Sequence, residues 1–458
     1  MKIKFTKEIS SNIKWLFFAL CIGLLLYNNL RNFFFPKEKI LSFSIMALVV
    51  ITLTILYYFL LKYHKKIFEN KRQTIFFIIL ITCIFALMIP HSVKDIYSYI
   101  GCGWTTANYH ENPYEMSAQQ IENKYNTQDT MYENIATVWK NETMIYGPLW
   151  TLICSALTTL SFGNVTIALF LFKLFNLSMH LLSCFMIHKI TKKKMLVLLY
   201  ALNPIILLEG LMDVHNEIFM ITLILFAIYY TIRKKNLWLA VLFLALATAI
   251  KYFAILLLPF LVLYLLREKT IGKRIGYCIL AGVEFLGILC LLYFIYFQDF
   301  SFLNVFSIQQ NKYNSSIYYL LYSLIGKNAT NTIKWVLLTI FAISYIGLAI
   351  RYLLKKEIIF RKLIRKYEAI LFVFIFFLIT NFNSWYLLWL VPTIFWLKPR
   401  HIKYLLILYT FAYILKFFTF CMSETAVIGI PYFLGITIIP AIIALDNTIK
   451  LRKKKIHI

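Results

Sequence analysis

Acidic residues are scarce in this chain: 20 Asp and Glu stand against 47 Lys and Arg in 458 residues, and charged residues of both signs amount to 15%. So little charge cannot solvate a whole surface, and the 61% hydrophobic share lies far outside the range of soluble globular domains. There is no C-x-x-C pair and no histidine at metal-ligand spacing, and the eight cysteines lie almost wholly inside apolar runs. They read as small core residues, which excludes a disulfide framework and predicts no metal site. A Gly-rich phosphate loop, a His-Glu-x-x-His motif and a nucleophile elbow are all lacking, so nucleotide-dependent chemistry and a cofactor are not expected. Internal repeats, low-complexity segments and a soluble domain are lacking as well.

What the chain does have is a succession of apolar runs long enough to span a bilayer. The expected fold is all-α, a polytopic transmembrane helical protein of about 12–14 spans. Spans are expected near 12–30, 40–61, 74–90, 165–187, 195–212, 215–232, 273–297, 332–350, 367–382, 384–397, 402–420 and 426–447. The run 237–266 is interrupted by Lys251 and reads as two short helices hinged there. The run 146–163 reads either as a span or as a short re-entrant or interfacial helix. Residues 1–90 form N-terminal spans, the first retained rather than cleaved; 91–145 form one elaborated outer loop; 146–447 form a helical core; 448–458 form a basic cytoplasmic tail.

The net charge of +27 does not point to nucleic acid, because Lys and Arg fall in short clusters between the apolar runs. Such clusters mark cytoplasmic loops. Placing 62–72, 189–194, 233–235, 267–274, 351–366 and 398–403 inside leaves the polar stretches at 95, 213–217, 251, 309–316 and 381–385 together on the outer side. The expected location is therefore the cell membrane, multi-pass, with the functional site on the extracytoplasmic face. Within the outer loop, Glu111-Asn112-Pro113-Tyr114 and Ala118-to-Tyr125 read as short amphipathic helices on the interface.

Several polar residues have two readings. Asp95 suits a helix N-cap, but a carboxylate at a partly apolar rim is also a good proton acceptor, with Tyr97 and Tyr99 placed to flank a sugar ring. Glu209, Asp213 and Glu217 recur every four residues and would share a face if their helix continued. His215 and Asn216 beside them can hydrogen-bond hydroxyls or a phosphate. Lys251 is either a snorkelling lysine or a receptor for an anionic group such as a lipid phosphate. Lys173 and Glu284, deep in their spans, are expected to pair with each other. The stretches 309–316, with Asn314, and 381–386, with Trp385 and Tyr386, add amides and aromatic faces, which anchor at interfaces or stack under sugars. Tyr146-Gly147-Pro148 reads chiefly as a helix start.

Taken in order, Asp95-Ile96-Tyr97-Ser98-Tyr99, Asn112-Pro113-Tyr114, Tyr146-Gly147-Pro148-Leu149-Trp150, Asn203-Pro204, His215-Asn216-Glu217, Lys251 and Ser384-Trp385-Tyr386-x-x-Trp389 resemble the GT-C glycosyltransferases. Among these they are most similar to the polyprenol-phosphate-mannose-dependent α-(1→6)-mannosyltransferases of bacterial envelopes. The resemblance spans roughly residues 90 to 392. The family commonly has His-Asn-Asp where this chain has His215-Asn216-Glu217, and Pro where it has Ser384.

The resemblance implies an inverting enzyme that moves a sugar, with a lean to mannose, from a polyprenyl-phosphate carrier to the hydroxyl of a glycan or glycolipid. Asp95 would be the base, and Lys251 with His215 would neutralise the departing phosphate without a metal. Tyr97, Tyr99, Asp213, Asn216, Glu217, Asn314, Trp385 and Tyr386 would contact sugar or acceptor. A transporter or flippase of a lipid-linked sugar would use similar residues but predicts polar access from both faces, and a non-catalytic membrane subunit predicts that Asp95 is dispensable.

Overall fold

A computed structural model describes residues 7–34, 39–90, 95–294 and 316–397. Among them the chain is helical with no strand, and apolar composition is why: inside a bilayer only a helix or a closed barrel satisfies its backbone internally. The helices are α1 (Lys7–Phe34), α2 (Lys39–Lys62), α3 (His64–Ile67), α4 (Lys71–Ala86), α5 (Asp95–Tyr109), α6 (Ala118–Tyr125), α7 (Thr137–Lys140) and α8 (Pro148–Thr159). There follow α9 (Val165–Thr191), α10 (Lys194–Ala201), α11 (Glu217–Tyr229), α12 (Leu237–Thr248), α13 (Leu258–Leu265), α14 (Ile271–Phe294), α15 (Ile317–Leu354) and α16 (Phe360–Phe377). Two π-helical segments, Ile206–Met212 and Tyr230–Lys234, and two 3₁₀ runs, Tyr252–Leu257 and Ser384–Trp396, complete it.

Five of these helices are long and apolar enough to cross a membrane, or six if the pair Lys194–Ala201 and Ile206–Met212, bent by 58°, counts as one span. The outer helices α14 and α15 expose Ile279, Leu286, Leu291, Ile343 and Ile346, a surface that suits lipid and not water. Several expected spans are assembled differently. The run 384–397 is a 3₁₀ segment with Pro392 inside it and most of its side chains buried, so it lines the interior instead of facing lipid. The run 146–163 contains the 12-residue α8, about 18 Å long, too short to cross alone. Lys251 sits in extended backbone between α12 and the 3₁₀ run, the hinge its sequence suggests. The expected spans 402–420 and 426–447, and the tail, lie outside the described residues.

The basic clusters meet in pairs. Lys194 donates to the Phe68 carbonyl, Arg233 Nε to Ile190 O at 2.9 Å, and Arg274 Nη1 to Leu353 O at 2.9 Å and Lys355 O at 2.7 Å. From this end α4, α9 and α12 each connect to the polar end: α12 starts beside Arg233 and stops just short of Lys251. The chain's charge pattern and its helix connectivity thus agree on two dissimilar ends. At residue 326 α15 is broken, with φ 78° and ψ 173°, a left-handed conformation that glycine takes without steric cost.

Lys173 and Glu284 do not pair. Lys173 donates instead to the carbonyls of Met88 at 2.6 Å and Met212 at 3.1 Å, oxygens left open where α4 and the π-helix end. In the outer segment, α6 forms as its pattern predicts, closed by a capping box between Ser117 and Gln120. Glu111-to-Tyr114 is a turn and not a helix: Pro113 brings no N–H, and Asn112 Oδ1 accepts from Tyr114 N at 3.0 Å.

Glu111 accepts from Lys124 Nζ at 2.5 Å and Tyr125 Oη at 2.8 Å, and these bonds, Lys124's first, hold its carboxyl below the ordinary carboxylate range. A depressed folded value means the contribution is present above the unfolded pKa of about 4.3 and is lost as pH falls through the folded one. Protection of the α6 amides from hydrogen exchange, relative to their intrinsic rates, is therefore expected to fall below about pH 4, and Glu111→Gln to remove that acid step. Acid sensitivity unchanged in the variant would contradict it.

Candidate functional site

The polar end is built around an unusual backbone approach. Gly147 N donates to Ile250 O and Leu149 N to Ala249 O, both at 3.0 Å, so the start of α8 is docked on the strand of chain that leads into Lys251. A Cβ on Gly147 would lie 2.3 Å from the Ala249 carbonyl oxygen, which only glycine avoids. The docking sets Tyr146 against Lys251, with the ammonium 5.0 Å from the ring centre. Gly147→Ala is expected to push these segments apart and to cost about 1–3 kcal/mol of stability, read as a lowered melting temperature in detergent. A Tm equal to wild type would contradict the tight docking.

Asp95 opens α5, where a carboxylate complements the helix N-terminus, and it is 6% exposed. It lines a cavity with Ser98, Tyr99, Glu142, Tyr146, Asn383, Trp385 and Tyr386. Tyr99 is packed edge-on against Tyr146 and Trp150, ring centres 5.3 Å away in each case. Tyr114, from the outer loop, donates to Tyr146 O at 2.7 Å and so ties the loop to the cavity wall.

Lys251 lines a second, larger cavity of about 430 Å³. Its walls are mostly apolar, with Phe253, Trp335, Leu338, Phe374 and Leu378, and Lys334 is a second cation on them. The ammonium of Lys251 is ion-paired with Glu217 Oε1 and surrounded by Tyr146, Tyr386 and Trp389, at 5.0, 5.6 and 5.9 Å from the ring centres. Such faces favour a desolvated cation. Tyr146, Ile145, Asn381 and Tyr386 belong to both cavities, so one wall separates Asp95 from Lys251.

Glu209, Asp213 and Glu217 do not all share a face: the first two meet beside His215, and Glu217 turns away. The π-helix ends at Met212, Val214 takes a left-handed φ of 60°, and α11 starts afresh at Glu217. For a β-branched residue that conformation is strained by about 1–3 kcal/mol, and here it sits inside the site. The break sends Glu217 to Lys251 and Glu209 to His215, whose Nε2 is 3.3 Å from Glu209 Oε2. Ser384 Oγ donates to Glu209 Oε1 at 2.5 Å, and Trp385 stacks on His215 with ring centres 4.3 Å apart. Asn176 Nδ2 donates to Gly210 O at 2.9 Å and His215 O at 3.0 Å, bracing the break from α9. Glu209, Asp213 and His215 bring one ligand-type atom each within 4.8 Å of one another, the composition that could hold a cation. Lys173 donates to Met212 O, next to Asp213.

Of the residues singled out in the sequence, Asp95, Tyr99, Trp385 and Tyr386 line the first cavity and Lys251 and Tyr386 the second. Asp213, His215, Asn216 and Glu217 are wholly buried and line neither; Trp385 lies between His215 and the Asp95 cavity. Tyr97 packs against the α6 cluster around Ile121 and Tyr132 and lines neither cavity. Asn314 lies outside the described residues, although Ser316 Oγ donates to Thr380 O at 2.6 Å beside the 381–386 stretch. Sequence reasoning missed Tyr146, Trp389 and Lys334 as wall residues. Tyr146 was hidden in a helix-start signature, and Trp389 in an apolar run.

A helical bundle with lipid-facing outer helices, and with carboxylates, a caged lysine and aromatic rings gathered at one end, is a polytopic membrane protein of GT-C-like build. The chain belongs to the family described as "Alpha-(1->6)-mannopyranosyltransferase, N-terminal domain", whose model matches residues 24–267, more than half of its length. It is 26% identical over 196 residues to alpha-(1->6)-mannopyranosyltransferase A of Mycobacterium tuberculosis (strain ATCC 25618 / H37Rv), a match covering 42% of this chain and 36% of the relative. The chain thus aligns with about a third of that curated relative. No solved structure matches it.

Proposed function

We propose that this protein is an inverting membrane mannosyltransferase. It takes mannose from a polyprenyl-phosphate carrier and places it on a hydroxyl of an envelope glycan or glycolipid at the outer face. The observation that carries this reading is the shared wall: a carboxylate in one cavity and a lysine in a larger apolar cavity, separated by Tyr146, Asn381 and Tyr386. A sugar held where the two cavities adjoin would have both the base and the leaving-group cation within reach, which in-line displacement needs. The family membership supports the sugar and the reaction class.

In this mechanism the acceptor hydroxyl loses its proton to Asp95 as its oxygen bonds to the anomeric carbon. The bond from that carbon to the phosphate oxygen breaks, its electron pair leaves with the phosphate, and Lys251 screens the new charge. One displacement inverts the carbon, so a β-linked donor gives an α-mannoside. Lys334, on the same cavity, adds to the positive field, and the apolar walls take isoprenoid units. Trp385 and Tyr386 offer faces to the sugar, and His215, stacked under Trp385 and paired with Glu209, fixes that floor.

The test is incubation of the purified protein in liposomes with a labelled polyprenyl-phosphate mannose and an extracted envelope glycolipid. Label is expected on the glycolipid. Movement of the labelled lipid across the bilayer without transfer would instead identify a flippase.

A further inference from the structure

Lys251 is not an open receptor in this structure, because Glu217 already occupies it. The pair is deeply buried, with Glu217 at 0% and Lys251 at 7% exposure. Glu217 Oε1 has a second donor, Trp389 Nε1 at 3.3 Å, while its Oε2 has no hydrogen-bond partner among the described residues. The carboxylate therefore competes with any anion that enters the second cavity to reach Lys251. We propose that Glu217 is an exchangeable counter-ion, displaced from Lys251 when a lipid phosphate monoester binds and returning to expel the phosphate after transfer.

Three features favour exchange over a fixed structural pair. Lys251 lines the cavity and Glu217 does not, so an anion meets the cation from the open side and the carboxylate from behind. Trp389 lines the same cavity and can keep hold of Glu217 Oε1 while Lys251 turns to the phosphate. The cage of Tyr146, Tyr386 and Trp389 keeps the ammonium near the shared wall during the exchange, since each ring face attracts it without fixing its direction. Without a competitor a doubly charged phosphate product would sit on a desolvated lysine and leave slowly; a buried carboxylate in reach lowers that affinity. Glu217 is on this account a positioning residue for product release, not a contact for sugar or acceptor.

The inference rests on the lipid-phosphate reading, and farnesyl phosphate binding to the full-length protein tests both separately. Glu217→Gln is expected to bind farnesyl phosphate about tenfold tighter than wild type, and in transfer assays to lower KM for the donor and kcat together. Glu217→Asp, which keeps the charge but draws it back from Lys251, is expected to tighten binding about threefold, and it carries the test if the Gln variant does not fold. Inorganic phosphate is expected to bind more weakly than farnesyl phosphate in every case. Unchanged or weaker farnesyl phosphate affinity in the folded variants would overturn the exchange while leaving the lipid-phosphate reading intact. Inorganic phosphate binding as tightly as farnesyl phosphate would overturn the assignment to a lipid anion. No farnesyl phosphate binding in any of the proteins would overturn both.

Discussion

Asp95→Asn is expected to lower sugar transfer by about two orders of magnitude or more while leaving donor binding and folding near wild type. The amide keeps the shape of the side chain at the start of α5 and removes only its capacity to take a proton. Loss of the helix-dipole interaction costs well under the stability of a bundle of this size, about 0.3–1 kcal/mol, so lost activity would not trace to unfolding. Glu142 is the informative comparison, since it is a second carboxylate on the same cavity, carried by the outer loop. Glu142→Gln should reduce transfer by less than about tenfold. Full activity in Asp95→Asn together with loss in Glu142→Gln would move the base to the loop.

Lys251→Gln should be the second severe variant, for two separable reasons. Removing one partner of a buried ion pair strands Glu217 and is expected to cost about 3–5 kcal/mol of stability. Removing the cation proposed to meet the leaving phosphate is expected to lower transfer by about two to three orders of magnitude. The double variant Lys251→Gln with Glu217→Gln separates the two: an uncharged pair restores most of the stability and none of the transfer. Thermal unfolding in detergent beside the transfer assay reads both. Transfer returning with stability in the double variant would show that Lys251 serves folding alone.

Much of this site was legible in the sequence because charge is so rare in it. In an apolar run a lone Asp95 or Lys251 stands out, and the clustering of Lys and Arg at alternate loops placed both on one side, where the structure also gathers them. The hinge at Lys251 was readable for the same reason: the lysine interrupts an otherwise uncharged apolar run, and the chain there is extended.

What stayed hidden depends on pairings between distant stretches. The four-residue spacing of Glu209, Asp213 and Glu217 suggests a common face, yet the π-helix and the strained Val214 send Glu217 to Lys251 while Glu209 and Asp213 stay together beside His215. Lys173 and Glu284 were matched by charge alone, whereas backbone carbonyls at helix ends proved the nearer acceptors. The run 384–397 has the composition of a span, but its place between α11 and α16 is set by Ser384 on Glu209 and Trp389 on Glu217. Such contacts, about 170 residues apart, leave no periodicity to read.

The proposed reaction is a single displacement on a lipid-phosphate donor, served by Asp95 and Lys251. The configuration of the new glycosidic bond tests it most directly, read from the one-bond carbon–hydrogen coupling at the anomeric centre of the product formed from a β-linked polyprenyl-phosphate mannose. The geometry predicts an α-mannoside, formed with release of polyprenyl phosphate. A β-mannoside, or transfer that proceeds from a nucleotide sugar without the lipid, would contradict it.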